Sequence, residues 1–404
     1  MFRRRWSGLP KDPIFSSDLK GLGYFVNEQD EIRNIVEPNH YFKYYLTKNG
    51  RKGLTKVLLP LGVEPSNPNV PIFTSIDLPS ASRIIVIFGE PSQDLGNVAL
   101  RVINGPGGIN KGSMVSVVDE ALRQTSSATD TSPPGIVLAN TGELWWWPEG
   151  KKPLSPTSAL AVPLKSMVHH GRANDVELHS ISKNVSPMAH VQYLLEILPS
   201  LISSTARLDI IGIGLGADNV TKALDDPKAW SVLGHRINTL SLLGSSTNIN
   251  ELSHEPFKEF LPRRARAYII DAALALTPIA KPGGNPNTAS FTQHGCTVYS
   301  SGEEYYVELM LITSRVPILA WLQEVALMGP DYRHPEVVAV DPHVPTEEEW
   351  AAASRGTAWD NIPEFAKPSV GYAMPLEDRD HREVLDRLED FVERQNGKQG
   401  EVSD

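Results

Sequence analysis

Apolar residues in this chain gather into eight short runs, and the segments between several of them carry helical periodicity. The runs predict strands over 55–59, 70–74, 83–88, 135–139, 208–213, 237–243, 265–270 and 296–299. Ile84-Ile85-Val86-Ile87-Phe88 is apolar at every position, the mark of a strand covered on both faces. Ile136–Leu138 and Leu208–Ile211 follow the same pattern less completely. One intervening helix opens at Pro187, with Ser186 as its cap; Val191, Leu194, Leu195, Leu198, Leu201 and Ile202 then recur on a single face. Further helices are predicted over 216–224, 252–261 and 316–327. Alternating strands and helices with short connections imply an α/β fold, a mostly parallel central sheet with helices on both faces.

Two stretches lack this order. Residues 277–293 are rich in Pro, Gly, Asn and Thr and read as a surface loop; residues 331–376 mix Pro, acids and Trp without a period and read as an irregular extension. The segment 377–395 is amphipathic, with Val384, Leu385, Leu388, Phe391 and Val392 on one stripe, and suits either packing on the body or docking to a partner. The expected division is a body over 1–330, an acidic extension over 331–376, and a helix with its tail over 377–404. Charge follows this division. The net charge is −10, and residues 331–404 hold 18 acidic and 8 basic side chains, so the tail carries the whole excess. A balanced body has no basic stripe for gripping nucleic acid. The single cysteine, Cys296, excludes an internal disulfide and reads as a buried structural thiol. No apolar run is long enough to span a membrane, and the basic opening lacks the core of a signal peptide, so nucleus or cytoplasm is expected.

The segment Leu208-Asp-Ile-Ile-Gly212-Ile-Gly214-Leu-Gly216 has the layout of a nucleophile elbow, a strand turning sharply into a helix. Elbow enzymes hold a reactive Ser at the central position, where this chain has Gly214. The same glycines loosely match a dinucleotide fingerprint. However, the strand is preceded by at least three others, and the next one ends in Leu242-Leu-Gly-Ser-Ser246 without a carboxylate, so no cofactor is expected. Asp271 and His294 stand near the places of a triad acid and base, and Ser245 or Ser300 could supply a displaced hydroxyl. In hydrolases the loop after the most buried strand donates N–H groups to an oxyanion. Here it carries Glu90 and Asp94, whose charge opposes that role and suits a contact surface. His169, His170, His179 and His190 have no ligand spacing, and no metal is expected. Trp145-Trp146-Trp147 cannot all face one core, so at least one indole is expected at the surface as a contact residue.

Several ordered blocks resemble the fungal Argonaute-binding-protein-two domain family. They are Arg3–Pro10, Asp18–Asn27, Ile32–Ile35, Leu46–Asn49, Ile84–Gly96, Leu138–Gly142, His190–Tyr193 and Tyr299–Glu303. The resemblance runs from Met1 to about Met328. It implies an α/β-hydrolase-like fold and a non-catalytic role in small-RNA-directed heterochromatin assembly, as a partner of an Argonaute protein. Related domains are attached to histone deacetylases, which makes a deacetylase subunit the other expected partner. Relatives outside the fungi keep the elbow Ser. The family also places a long basic helix where this chain has only Gly50–Leu54, so either a loop closes that gap or an exon is missing from the gene model. The expectation is therefore a pseudo-hydrolase that binds proteins, the alternative being a serine hydrolase with a displaced nucleophile.

Overall fold

The computed structural model describes residues 18–36 apart from 22, 29 and 30, together with 54–103, 108–160, 162, 175–279, 293–334 and 346–348. Eight strands form the main sheet: β1 (Leu54–Leu59), β2 (Val70–Ser75), β3 (Arg83–Phe88), β4 (Gly135–Leu138), β5 (Arg207–Ile213), β6 (Ile237–Leu243), β7 (Ala265–Ile269) and β8 (Thr297–Ser300). Their spatial order is β1-β2-β4-β3-β5-β6-β7-β8. β2 runs antiparallel to both its neighbours, and every other pair is parallel. This is the order of an α/β hydrolase, with the elbow leaving β5 at the centre of the sheet.

The central strands have no solvent face, so β3 is apolar after Arg83 and the polar residues of β5 and β6 that lie inside are buried. All six residues of β3 and all seven of β6 are buried. One face is covered by α2 (Pro187–Leu201), α3 (Leu215–Leu224), α4 (Pro227–Leu233) and α5 (Glu255–Arg264). The other lies under α1 (Val115–Ala121) and α6 (Arg315–Met328), with Met310 and Leu311 alongside. The Ser186 hydroxyl accepts the Ala189 N–H at 3.2 Å and caps α2, while Asp226 caps α4 through the N–H groups of Lys228 and Ala229. No single helix among the described residues is long and apolar enough to cross a membrane.

Buried polar groups lock the amino edge of the sheet. Arg83 Nε donates to Asp209 Oδ2 at 2.6 Å in a pair almost fully shielded from water. Thr239 and Asn238 donate to the other Asp209 oxygen, and Arg83 Nη1 reaches the Thr125 carbonyl. Breaking such a pair exposes one charge to a poorly polarisable interior.

Two boundaries differ from those expected. Thr277–Ile279 does not begin a loop: Ile279 donates to the Val298 carbonyl and Thr277 accepts from the Ser300 N–H, so the segment pairs along β8. The body also does not stop at residue 330. The Tyr332 ring is buried against Trp321, its hydroxyl accepts from the indole N–H at 2.8 Å, and the first compact unit is Met1–Pro342, with His343–Asp404 as the second. The predicted helix with Leu388 and Phe391, and the short join 50–53, lie outside the described residues.

Candidate functional site: a filled nucleophile elbow

The turn between β5 and α3 has the elbow conformation. Gly214 sits at φ 53° and ψ −124°, and its N–H donates to the Leu243 carbonyl at 2.7 Å. Few L residues adopt that φ without strain. Close approach explains the flanking glycines: a Cβ at Gly216 would lie 2.6 Å from the carbonyl oxygens of Phe88 and Gly89, and one at Gly212 would lie 2.5 Å from Ala217 Cα. The backbone for a nucleophile is therefore built, and the side chain is missing.

Another side chain takes its place. A Cβ at Gly214 would fall on the Glu90 carboxyl group, 2.5 Å from Cδ and overlapping Oε1. The Leu215 N–H lies close enough to the Glu90 carboxyl group to lower its pKa. In elbow enzymes the N–H of the residue after the nucleophile is an oxyanion-hole donor. One carboxyl group thus covers the nucleophile's position and stands beside the first donor of the oxyanion hole. Burial, reinforced by the nearby carboxylates of Glu308 and Asp218, pushes Glu90 up to about 7 against the lowering effect of the Leu215 N–H.

The remaining triad positions do not converge. Asp271 follows β7 as an acid would, but its carboxylate accepts the Ala273 N–H at 2.7 Å in a local turn. His294 lies before β8 rather than after it. Its Nδ1 stands 3.2 Å from the Thr247 carbonyl, and burial lowers its pKa. Past the end of β8, where a catalytic histidine would belong, the chain reads Ser301-Gly302-Glu303, and Glu303 accepts the N–H groups of Tyr305 and Tyr306. Both substitute hydroxyls are committed elsewhere. Ser245 donates to Asp218 Oδ1 at 2.7 Å and Ser300 to the Ala273 carbonyl at 2.7 Å, and among the described residues neither hydroxyl is hydrogen-bonded to an imidazole. Asp218 was not singled out by sequence, yet it gathers the Ser245, Ser246 and Thr247 hydroxyls and two backbone N–H groups. Burial alone would raise its pKa; these donors outweigh it and hold it below the usual carboxylate range.

The loop after β3 is sealed as well. Thr141 donates to the Gly89 carbonyl at 2.7 Å, and Asp94 accepts from the Ser158 hydroxyl. The space enclosed by Glu90, Gln93, Asp94, Asn140 and Thr141 is about 20 Å³, room for about one water molecule. A groove of about 360 Å³ lies between α2, α3 and α4, lined by Gln192, Leu195, Glu196, Lys228 and Val232, away from the elbow. His190 is a structural pin: its Nε2 accepts the Asn140 N–H at 3.1 Å while Nδ1–H donates to Asn184 Oδ1 at 2.7 Å. Full burial lowers its pKa to about 3.

Among the tryptophans, Trp146 is buried, and Trp145 and Trp147 are half-buried rather than exposed. The strand Trp145–Trp147 pairs with Lys152–Leu154. Trp145 stacks on His179 at 4.2 Å, and the Lys152 ammonium stands 5.3 Å from the Trp147 ring, which accounts for their cover. His169 and His170 lie outside the described residues. Among the described residues no group of three His, Cys, Asp or Glu side chains is placed to hold a metal ion. Cys296 is fully buried, which pushes its thiol up to about 12.

A family model of the Arb2 domain matches residues 15–53 and 50–273. The chain belongs to the Arb2 domain family. The match breaks into two pieces at the short join after Asn49, where the family resemblance calls for a longer segment. No curated protein matches this Arb2 domain. Solved structures similar to it include a thermostable esterase from Pseudomonas putida ECU1011, at 12% identity over 72% of this chain and 86% of that one, TM-score 0.32. Carboxyl esterase 2 from Tuber melanosporum is 12% identical over 68% and 88%, TM-score 0.31. An α/β serine hydrolase homologue from Coxiella burnetii is 11% identical over 67% and 96%, TM-score 0.28. At such identities the likeness says nothing of substrate.

Proposed function

We propose that this Arb2 domain is a catalytically silent α/β-hydrolase-like module that works by binding proteins. On this reading it is a partner of an Argonaute protein, or of a histone-deacetylase subunit, in small-RNA-directed heterochromatin assembly, in the nucleus or in a cytoplasmic stage of it. The observation that carries the silent part is the Glu90 carboxyl group lying where a nucleophile would stand. Acyl transfer needs a nucleophile, a base within reach and a donor aimed at the developing oxyanion. Gly214 offers no nucleophile, Glu90 sets a carboxyl group beside the Leu215 N–H, and His294 is turned to the Thr247 carbonyl. The partner identities rest on family membership, and the near-neutral body supports protein contact over direct nucleic-acid binding.

Two experiments test the reading separately. A fluorophosphonate probe should leave the purified full chain unlabelled; labelling that disappears in Ser245→Ala would restore the displaced-nucleophile hydrolase. Affinity purification from native nuclear and cytosolic extracts should recover an Argonaute protein or a deacetylase subunit. Recovery of neither from both fractions would remove the silencing assignment and leave the silent fold standing.

A further inference from the structure

At the amino edge of the sheet, opposite the elbow, Arg264 and Arg333 hold one turn, and Arg207 lies close enough to Arg264 to repel it. The 3-10 turn Gly329–Asp331 follows α6, and two guanidinium groups hold its consecutive carbonyls. Arg264 Nη2 donates to Gly329 at 2.8 Å, and Arg333 Nη1 donates to Pro330 at 2.9 Å. Arg264 reaches across to the start of β6 through Asn238 Oδ1 at 3.0 Å and stands 5.8 Å from the Tyr332 ring. Arg207, the first residue of β5, donates to the His235 carbonyl at 2.7 Å, three residues before Asn238. All three side chains are therefore positioned by neutral carbonyl or amide oxygens. Arg207 and Arg333 are exposed and Arg264 is half-buried.

Their charge is answered only in part from within the described residues, by the field of Asp209 on Arg207 and Arg264. Among the described residues none of the three makes an ion pair. Asp209, the nearby buried carboxylate, is taken by Arg83. Asp331 and Glu324 are exposed on the same stretch and pair with none of them. The mutual repulsion registers on Arg264, whose pKa is lowered first by burial and next by Arg207 and Arg333. Guanidinium groups brought together and held by neutral acceptors keep N–H donors free in the fork geometry that fits a tetrahedral oxyanion.

We propose that Arg207, Arg264 and Arg333 form a docking point for a phosphorylated side chain of a partner protein. A phosphoserine or phosphothreonine brings close to two negative charges and three acceptor oxygens, enough to engage all three forks at once. A nucleic-acid backbone fits less well. It needs a basic track longer than one corner and aromatic faces for stacking, and the rings nearest this edge, Trp321 and Tyr332, are buried. The site lies apart from the elbow and stands whether or not the elbow is silent.

The test uses the full chain and three labelled probes: a glycine-rich peptide carrying one phosphoserine, the same peptide with serine, and an oligouridine. Fluorescence anisotropy should show the phosphopeptide binding at least about tenfold tighter than its serine counterpart, with inorganic phosphate competing. Arg207→Gln and Arg333→Gln, separately, should each weaken phosphopeptide binding severalfold and together by about tenfold or more. Both side chains are exposed and donate only to carbonyls, so both variants should unfold like the parent. Equal binding of the two peptides would overturn the proposal even with no folded variant in hand. So would unchanged phosphopeptide binding in the folded double variant. Oligouridine binding tighter than the phosphopeptide and lost in the same variants would reassign the corner to a nucleic-acid backbone and overturn it too.

Discussion

Restoring the missing nucleophile should damage this protein rather than activate it. Gly214→Ser places a Cβ at φ 53°, where a non-glycine residue carries strain of about 1–3 kcal/mol. That Cβ would also coincide with the Glu90 carboxyl group. Glu90 must swing away from the elbow and from the Leu215 N–H. The backbone strain alone, about 1–3 kcal/mol, is a sizeable share of the stability of an ordinary domain, and the clash adds to it. Two measurements check this: urea unfolding followed by tryptophan fluorescence, and hydrolysis of p-nitrophenyl acetate. Gly214→Ser should unfold at clearly lower urea and hydrolyse nothing above background, because His294 is engaged with the Thr247 carbonyl and Asp271 with the Ala273 N–H. Glu90→Ala combined with Gly214→Ser should recover part of the loss, since the clash disappears, so the two changes should be strongly non-additive. A serine variant as stable as the parent, or additive energies in the double variant, would refute the placement of Glu90 in the elbow.

Glu90 and His190 should pull the pH dependence of stability in opposite directions. The folded pKa of Glu90, about 7, lies above its ordinary value of 4.5, so its stabilising share is full below 4.5 and is lost as pH rises toward and through 7. Glu90→Gln should flatten that decline in urea midpoints measured from pH 5 to 8. For His190 the folded value of about 3 lies below the ordinary 6.5; the unfolded chain takes the proton first, and stability falls as pH drops from 6.5 toward 3. His190→Phe should remove that acid sensitivity and cost about 2–5 kcal/mol at pH 7, because the buried Asn140 N–H and Asn184 side chain lose their partner. Asp209→Asn should cost about 3–5 kcal/mol by leaving the Arg83 charge buried without its counter-ion, read as a drop in the denaturation midpoint.

The fold was legible because its central strands are covered on both sides. Ile84–Phe88 has no solvent face to interrupt its apolar run, and all eight strands of the sheet lie within a residue or two of expectation. Elements with mixed faces were harder. The helix Val115–Ala121 has no side-chain cap, and the hairpin strands Trp145–Trp147 and Lys152–Leu154 are too short to show a period. Tyr332–His334 looked like the start of an irregular tail because its anchors, Trp321 and the Ala265 carbonyl, are distant in sequence. At the site, the glycine at the centre of the elbow turn could be read directly at Gly214. The side chain over it could not, since that depends on β3 lying beside β5 and bringing Glu90 over the turn. Chain order alone shows that His294 precedes the last strand; that its ring is turned to the Thr247 carbonyl depends on the fold.

Asp218 has a mechanical consequence. Five donors from Ser245–Thr247 converge on one carboxylate at the opening turn of α3, fastening the connection after β6 to the helix that leaves the elbow. Loops at this rim commonly flex in enzymes to admit and release small molecules. Here this one connection is fastened to the helix, so a partner that bound against it would meet a surface already set. Little ordering entropy is then spent on this side of the contact, and association there should proceed as near-rigid docking.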